Sequence, residues 1–188
     1  MPNKYQRNFI TVTRELSQVF ERLQEERLDS LVEAILASSA VFTAGAGRSG
    51  MLVRCAAMRL MHLAIPVYVV GEIVTPAIQA GDLLLIASGS GETESLVSMS
   101  KKAKGLGAQV ALLTANPNST IAGLADVTVR LAAPSPKAVV TDYVESAQPM
   151  GNLFEQSVFI TLDVVVMELM NRLSKNSETM FKRHANLE

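Results

Sequence analysis

AVFTAGAGRSG, residues 40–50, runs a short apolar stretch into Gly45, turns through Gly47 and opens a polar segment at Arg48 and Ser49. An apolar run of this length ending in Gly reads as a buried strand, and the amphipathic residues 49–63 that follow read as a helix. Working outward toward the C-terminus, the same alternation returns. Strands are predicted at VYVV (67–70), DLLLIAS (82–88), QVALLTA (109–115) and DVTVRLA (126–132). A helix over about 92–104 has plausible stops in Gly105 and Gly107, and NPNST supplies the turn before the last strand. Toward the N-terminus, Phe9, Val12, Leu16, Val19 or Phe20, and Leu23 recur at helical spacing, and a second helix is predicted from about Leu28 to Ala37. Five apolar strands with intervening helices predict an α/β fold whose parallel sheet is covered on both faces.

Residues 133–150 break the alternation with Pro134, Pro136 and Pro149 and read as a long surface loop, a kind that is often functional. Beyond it, Phe154, Val158, Leu162, Val165, Leu169 and Leu173 form a helical stripe, with Ile160, Val164 and Met167 lying off it. A helix apolar on more than one side is either central to the core or part of a subunit interface, and the sequence leaves both open.

Composition bounds the possibilities. A chain of 188 residues, 48% hydrophobic, is expected to form one domain with a core large enough to need no staple. Its lone Cys55 cannot form an internal disulfide. Seventeen Lys and Arg against eighteen Asp and Glu argue against a general nucleic-acid binder, though a local anion site is compatible with that balance. The N-terminal residues lack the apolar core of a signal peptide, so a cytoplasmic protein is expected. The most apolar stretch, Leu153 to Met170, carries Glu155, Gln156, Asp163 and Glu168, so no membrane span is expected. One Cys and two distant His, His62 and His184, do not make a zinc ligand set.

Two glycine-rich loops fall at predicted strand ends, where open α/β sheets bind ligands. The first, GAGRSG (Gly45–Gly50), satisfies G-x-G-x-x-G, and Glu72 stands about twenty residues on. It fits either a dinucleotide site or a tight strand-to-helix turn capped by Ser49. The second, SGSGET (Ser88–Thr93), offers convergent amides, three hydroxyls and a following helix end, which favours phosphate binding over a turn merely capped by Ser90. No G-K-[ST] follows, so it is not a Walker loop. Among acid–base groups, Glu155 sits with Met150, Leu153 and Phe154 at the start of the long helix. It could serve as a base, or it could complete a capping box with Asn152. His62 shares a face with Met51, Cys55 and Met58 and reads as a packed residue, while His184 lies in the terminal KRHANLE.

The set GAGRSG, AMRLMHL, VVGE, SGSGETESL, QPMGNLFEQ and SETMF-x-x-HANLE resembles the 6-phospho-3-hexuloisomerases, members of the sugar isomerase (SIS) domain superfamily. The resemblance spans nearly the whole chain. It implies a single SIS domain with a three-layer α-β-α, five-stranded flavodoxin-like sheet: N-terminal helices over 1–38, a phosphate-binding core over 39–132, the loop 133–150, and a C-terminal helix and tail over 151–188. It implies interconversion of 3-hexulose 6-phosphate and fructose 6-phosphate through a cis-enediol, in formaldehyde fixation and detoxification by the ribulose monophosphate pathway, with no cofactor and no metal. By motif, Ser49, Ser88, Ser90 and Thr93, with the amides of Gly89, Gly91 and Glu92, would hold the phosphate, and Arg48 would approach the ligand. Glu155 matches the expected base and His184 an active-site histidine, in its own or a neighbouring subunit of a homotetramer with sites near the interfaces. Lys137, Asp142 and Tyr143 are candidates only for contacts to sugar hydroxyls. Two other classes stay in play: a non-catalytic SIS module sensing a sugar phosphate, and a dinucleotide-dependent oxidoreductase using GAGRSG.

Overall fold

A computed structural model describes residues 2–187. The chain opens with two helices, α1 (Lys4–Phe20) and α2 (Glu25–Ala37). At the start of α1 the Asn3 side chain accepts the amides of Tyr5 and Gln6, while the Gln6 side chain accepts the amide of Asn3, a reciprocal cap. Then come β1 (Val41–Gly45), α3 (Gly47–His62), β2 (Val67–Val69), β3 (Leu83–Ala87), α4 (Glu94–Gly105), β4 (Gln109–Thr114), α5 (Thr120–Leu124) and β5 (Val127–Arg130). Two further helices, α6 (Asn152–Arg172) and α7 (Ser177–Phe181), complete it. The sheet is parallel throughout with strand order β2-β1-β3-β4-β5, the doubly wound flavodoxin-like arrangement.

Strand residues alternate between two cores, as the period-two geometry of a strand requires. Val41, Leu83, Leu85, Ala111 and Leu113 face one core with α2, α3 and α6. Phe42, Ala44, Leu84, Ile86, Val110 and Leu112 face the other, closed by Leu96 and Ala103 of α4 and Ile121 of α5. Both faces of the sheet are covered by helices, giving three layers. Helix α1 packs outside α6 through Leu16, Val19 and Phe20. So α6 is a core helix between α1 on one side and α2 and α3 on the other, which accounts for its broad apolar surface. Phe159, Val164 and Met167 of α6 nonetheless stay exposed in the single chain.

The predicted elements stand where the apolar runs placed them, with shifts at their ends. Helix α3 begins at Gly47 rather than 49, and its N-cap is Ala46, so Ser49 is inside the first turn and does not cap. The turn NPNST is followed by a short helix, α5, capped by the Ser119 hydroxyl. The 133–150 loop is tied down more firmly than a free surface loop. Val144 is buried and donates its amide to Ala132, and the segment 146–148 is bonded to α1.

Candidate active site

The order β2-β1-β3-β4-β5 puts its switch point between β1 and β3, whose ends lie side by side with Gly45 in register with Ala87. From there α3 leaves on one face of the sheet and α4 on the other, opening a crevice where the two glycine loops meet. A cavity of about 270 Å³ occupies it, lined from the first loop by Arg48 and Ser49, from the second by Ser88, Gly89, Ser90 and Thr93, and from α6 by Phe154 and Glu155. Pro134, Ser135, Pro136 and Lys137 of the long loop form its remaining wall with Met150 and Gly151.

Close packing builds the first loop. A Cβ on Gly50 would lie 2.6 Å from the Gly45 oxygen, so the helix can start against the strand end only without side chains at both positions. In the second loop the carbonyls are drawn away from the cavity. Gly89 O accepts from the Ala115 amide and the Thr114 hydroxyl, and Ser90 O accepts from the Asn116 side chain, each at 3.2 Å. Turning carbonyl oxygens toward β4 removes their repulsion from an anion and leaves the hydroxyls and the start of α4 facing the cavity. Thr114 and Asn116 are thus site-building residues that sequence reading missed; their only signal was a polar pair at the end of β4.

Not every residue assigned to the phosphate by motif lines the cavity. Gly91 and Glu92 stand behind it. The Gly91 amide is taken by Ser88 and the Glu92 amide by the Ser90 hydroxyl. Gly91, at φ +64°, is packed on Ser119, and the Glu92 carboxylate accepts the Thr120 amide at 2.6 Å, supporting the start of α5. Ser90 accordingly braces the loop at Glu92, the residue before Thr93, the N-cap of α4. Among the loop candidates, only Lys137 lines the cavity. Asp142 instead pairs with Arg22 and Arg130, and Tyr143 lines a separate concavity of about 770 Å³ between α1 and the loop. That larger space shares no lining residue with the glycine-loop cavity.

Glu155 stands at the first turn of α6. The capping alternative fails: the N-cap is Gly151, Asn152 is already helical, and no side chain caps this end. Instead Arg48 Nε lies 2.7 Å from Glu155 Oε2. This is a charge contact without hydrogen-bond alignment, for Oε2 is buried and accepts no hydrogen bond among the described residues. The carboxylate is 17% exposed and Arg48 57%. A buried carboxylate oxygen without a donor is unusual enough to ask for a ligand group, and it faces a cavity shaped for one.

The histidines are elsewhere. His62 is packed at the far end of α3, where its ring stacks on His184 at 5.6 Å. Burial, with positive charge on Arg59, His184 and Arg183, holds the His62 pKa below its ordinary value. The helical rise puts roughly 20 Å between Arg48 and His62, so His184 is remote from the cavity of its own chain. Glu72, the carboxylate a dinucleotide ribose would require, is paired with Arg54 at 2.6 Å. Among the described residues no cluster of three or more His, Cys, Asp or Glu is arranged to hold a metal, and no helix is long and apolar enough to cross a membrane.

Comparison with known proteins agrees with this geometry. Residues 35–150 match the SIS domain family. The chain is 48% identical to a 3-hexulose-6-phosphate isomerase of Bacillus subtilis, over 88% of its length and 89% of the relative's. It is 43% identical to one of Mycobacterium gastri, over 96% and 90%. A crystal structure of a protein from Methanococcus jannaschii, described as inferring a function of 3-hexulose-6-phosphate isomerase, superposes with a TM-score of 0.83 at 35% identity, covering 97% of this chain and 99% of that one. With a superposing fold, a matching SIS domain and relatives of this similarity along nearly its full length, the chain belongs to the 3-hexulose-6-phosphate isomerase family of SIS-domain proteins.

Proposed function

We propose that this protein interconverts D-arabino-3-hexulose 6-phosphate and D-fructose 6-phosphate through a cis-enediol, with Glu155 moving the proton. The observation that carries the reading is the Glu155 carboxylate, whose buried Oε2 meets only Arg48 Nε as a charge contact and accepts no hydrogen bond among the described residues, in the same cavity as Ser88, Gly89, Ser90 and Thr93. The loop hydroxyls of Ser88, Ser90 and Thr93, with Ser49 and the Gly89 amide, hold the phosphate at the start of α4, and the backing residues Gly91 and Glu92 keep that loop in shape. Fixing the phosphate orients the sugar carbons against Glu155, so binding far from the reacting bond appears as rate.

The chemistry balances with one base. Glu155 removes the proton on C2 of the 3-ketose, the electrons of that C–H bond form the C2–C3 double bond, and O3 takes up negative charge and then a proton. The enediol next loses the proton on O2, its electrons return to form the C2 ketone, and Glu155 delivers its proton to C3. Arg48 holds the carboxylate from one side through Nε, and its remaining guanidinium N–H groups are suited to stabilise the developing enediolate oxygen. His184 supplies a proton relay only if a neighbouring subunit brings it to the cavity, which motivates a homotetramer with sites near its interfaces. Exposed Met51, Met58, Phe159 and Met167 on α3 and α6 offer such a surface. The physiological setting is formaldehyde fixation or detoxification by the ribulose monophosphate pathway in the cytoplasm, without a cofactor.

The test is conversion of enzymatically prepared 3-hexulose 6-phosphate to fructose 6-phosphate in deuterated water. Turnover with deuterium bound to carbon is the expected result. Binding of the sugar phosphate without turnover or exchange would identify a sensor module and overturn the reading.

A further inference from the structure

The most thoroughly bonded carboxylate among the described residues is outside the cavity. Glu15, on α1, is 4% exposed. Its Oε2 accepts the Ser146 hydroxyl at 2.7 Å and the Gln148 side-chain amide at 3.0 Å, and its Oε1 accepts the Ala147 backbone amide at 2.9 Å. The Ser146 hydroxyl in turn accepts the Gln148 amide at 3.1 Å. A buried charge is costly, so a position whose only duty was packing would be better filled by an apolar side chain. Here the charge is spent on three donors from three consecutive residues.

Those residues lead directly into the catalytic helix. Pro149 O accepts the Asn152 amide, Met150 takes the strained φ of +57°, and Gly151 is the uncapped start of α6, one turn before Glu155. Gly151 also borders the carboxylate, since a Cβ there would lie 3.9 Å from Glu155 Oε1. With no side-chain cap to fix this end, its entry angle depends on the segment before it. Helix α1 is itself packed along α6 by Leu16, Val19 and Phe20, so Glu15 refers the incoming loop to the body of the helix it enters. We infer that Glu15 is a positioning residue for the reaction: by clamping residues 146–148 it sets the first turn of α6 and hence the place of the Glu155 carboxylate. This rests on the isomerase reading of the cavity.

The test combines steady-state kinetics with amide hydrogen exchange on Glu15→Gln, backed by Ser146→Ala and Gln148→Ala. The carboxamide keeps the shape but turns an N–H₂ toward donors, so at least one clamp bond is lost. Expected are a fall in kcat of tenfold or more, because small misplacement of a reacting group is costly, and a KM within about twofold of wild type, because the phosphate loops on β1 and β3 are untouched. The two single-bond variants should lower kcat less, in the same direction. Exchange should quicken at Ala147 and across the first turn of α6 while β1, β3 and α4 are unchanged. Unaltered kcat with a lowered Tm would make Glu15 a packing anchor only and overturn the inference, as would a KM effect without a kcat effect. If the wild-type protein turned over no hexulose phosphate, the functional reading would fail; unchanged exchange at 147–155 would separately refute the clamp.

Discussion

Replacing Glu155 by Gln removes one ionisable oxygen and almost no volume, so it separates chemistry from fold. Among the described residues the carboxylate has a single charged partner, Arg48, whose side chain is 57% exposed. An ion pair so open to water contributes at most about 1 kcal/mol, and the first turn of α6 needs nothing from Glu155 as a cap. The expected loss of stability is thus small, a Tm decrease of roughly 2–4 °C for a chain of this size. The expected loss of turnover is far larger, because a positioned base contributes about 10²–10⁴ in rate and an amide cannot take up the C2 proton. The assay couples fructose 6-phosphate formation to a reporter reaction, with deuterium wash-in as a second readout and thermal melting as the control. Fructose 6-phosphate should still bind, since the phosphate loops are intact. Wild-type turnover in a folded Glu155→Gln protein would refute the assignment of the base, whatever happened to its melting temperature.

Three further outcomes follow from the geometry. Ser90→Ala should weaken fructose 6-phosphate binding by about 1–2 kcal/mol in calorimetry through loss of a hydroxyl that is proposed to meet the anion and that braces the Glu92 amide; unchanged affinity would remove it from the site. Because burial and neighbouring positive charge depress the His62 pKa, the unfolded chain binds that proton more readily than the folded one. Its stabilising contribution is complete above pH 6.5 and is lost as pH falls through the lower folded value. Tm should therefore drop more between pH 7.5 and 5.5 for the wild type than for His62→Asn, and equal drops would contradict the linkage. Finally, mixing Glu155→Gln chains with His184→Ala chains should restore turnover that neither has alone, because a shared interface would rebuild one intact site. No restoration after demonstrated subunit exchange would confine His184 to a structural part, such as its stack on His62.

What could be read from the sequence was local in the chain. The runs ending at Gly45 and Ser88 are short, apolar and bounded by glycine, so burial on both faces left one reading, and the loops that follow them had to meet at a switch point if the sheet was doubly wound. Glu155 could be singled out but not assigned, because its spacing from Asn152 satisfies a capping pattern as well as a catalytic one. The fold removes the capping alternative, because the N-cap is Gly151 and Asn152 is already helical, and it brings Arg48, 107 positions earlier in the chain, opposite the carboxylate. Gly91 and Glu92 show the opposite case: the motif groups them with Ser88 and Ser90, but in the fold they do not line the cavity, their amides are bonded to Ser88 and Ser90, and the Glu92 carboxylate is aimed at α5. Thr114 and Asn116 act by donating hydrogen bonds to the carbonyls of a loop more than twenty residues away, which no local pattern encodes.

The same contrast separates binding from catalysis in this fold. Everything proposed to hold the phosphate follows β1 or β3 and is braced from the end of β4, adjacent strands in the most buried part of the sheet, where loop carbonyls and amides are fixed by neighbouring strand ends. A rigid anion cradle of this kind can be carried by many proteins with different activities, since it recognises only the end of the substrate that does not react. The proposed base comes from another source: an added helix, α6, that enters through a proline-rich loop and is held by α1. On the proposed reading, its distance from the cradle, set by how loop and helices pack, determines which carbon of a sugar phosphate lies under the carboxylate. Changes in residues 133–150, or in the α1 surface that clamps them, should therefore alter substrate preference and kcat while leaving phosphate affinity nearly constant, whereas changes in 88–93 should do the reverse.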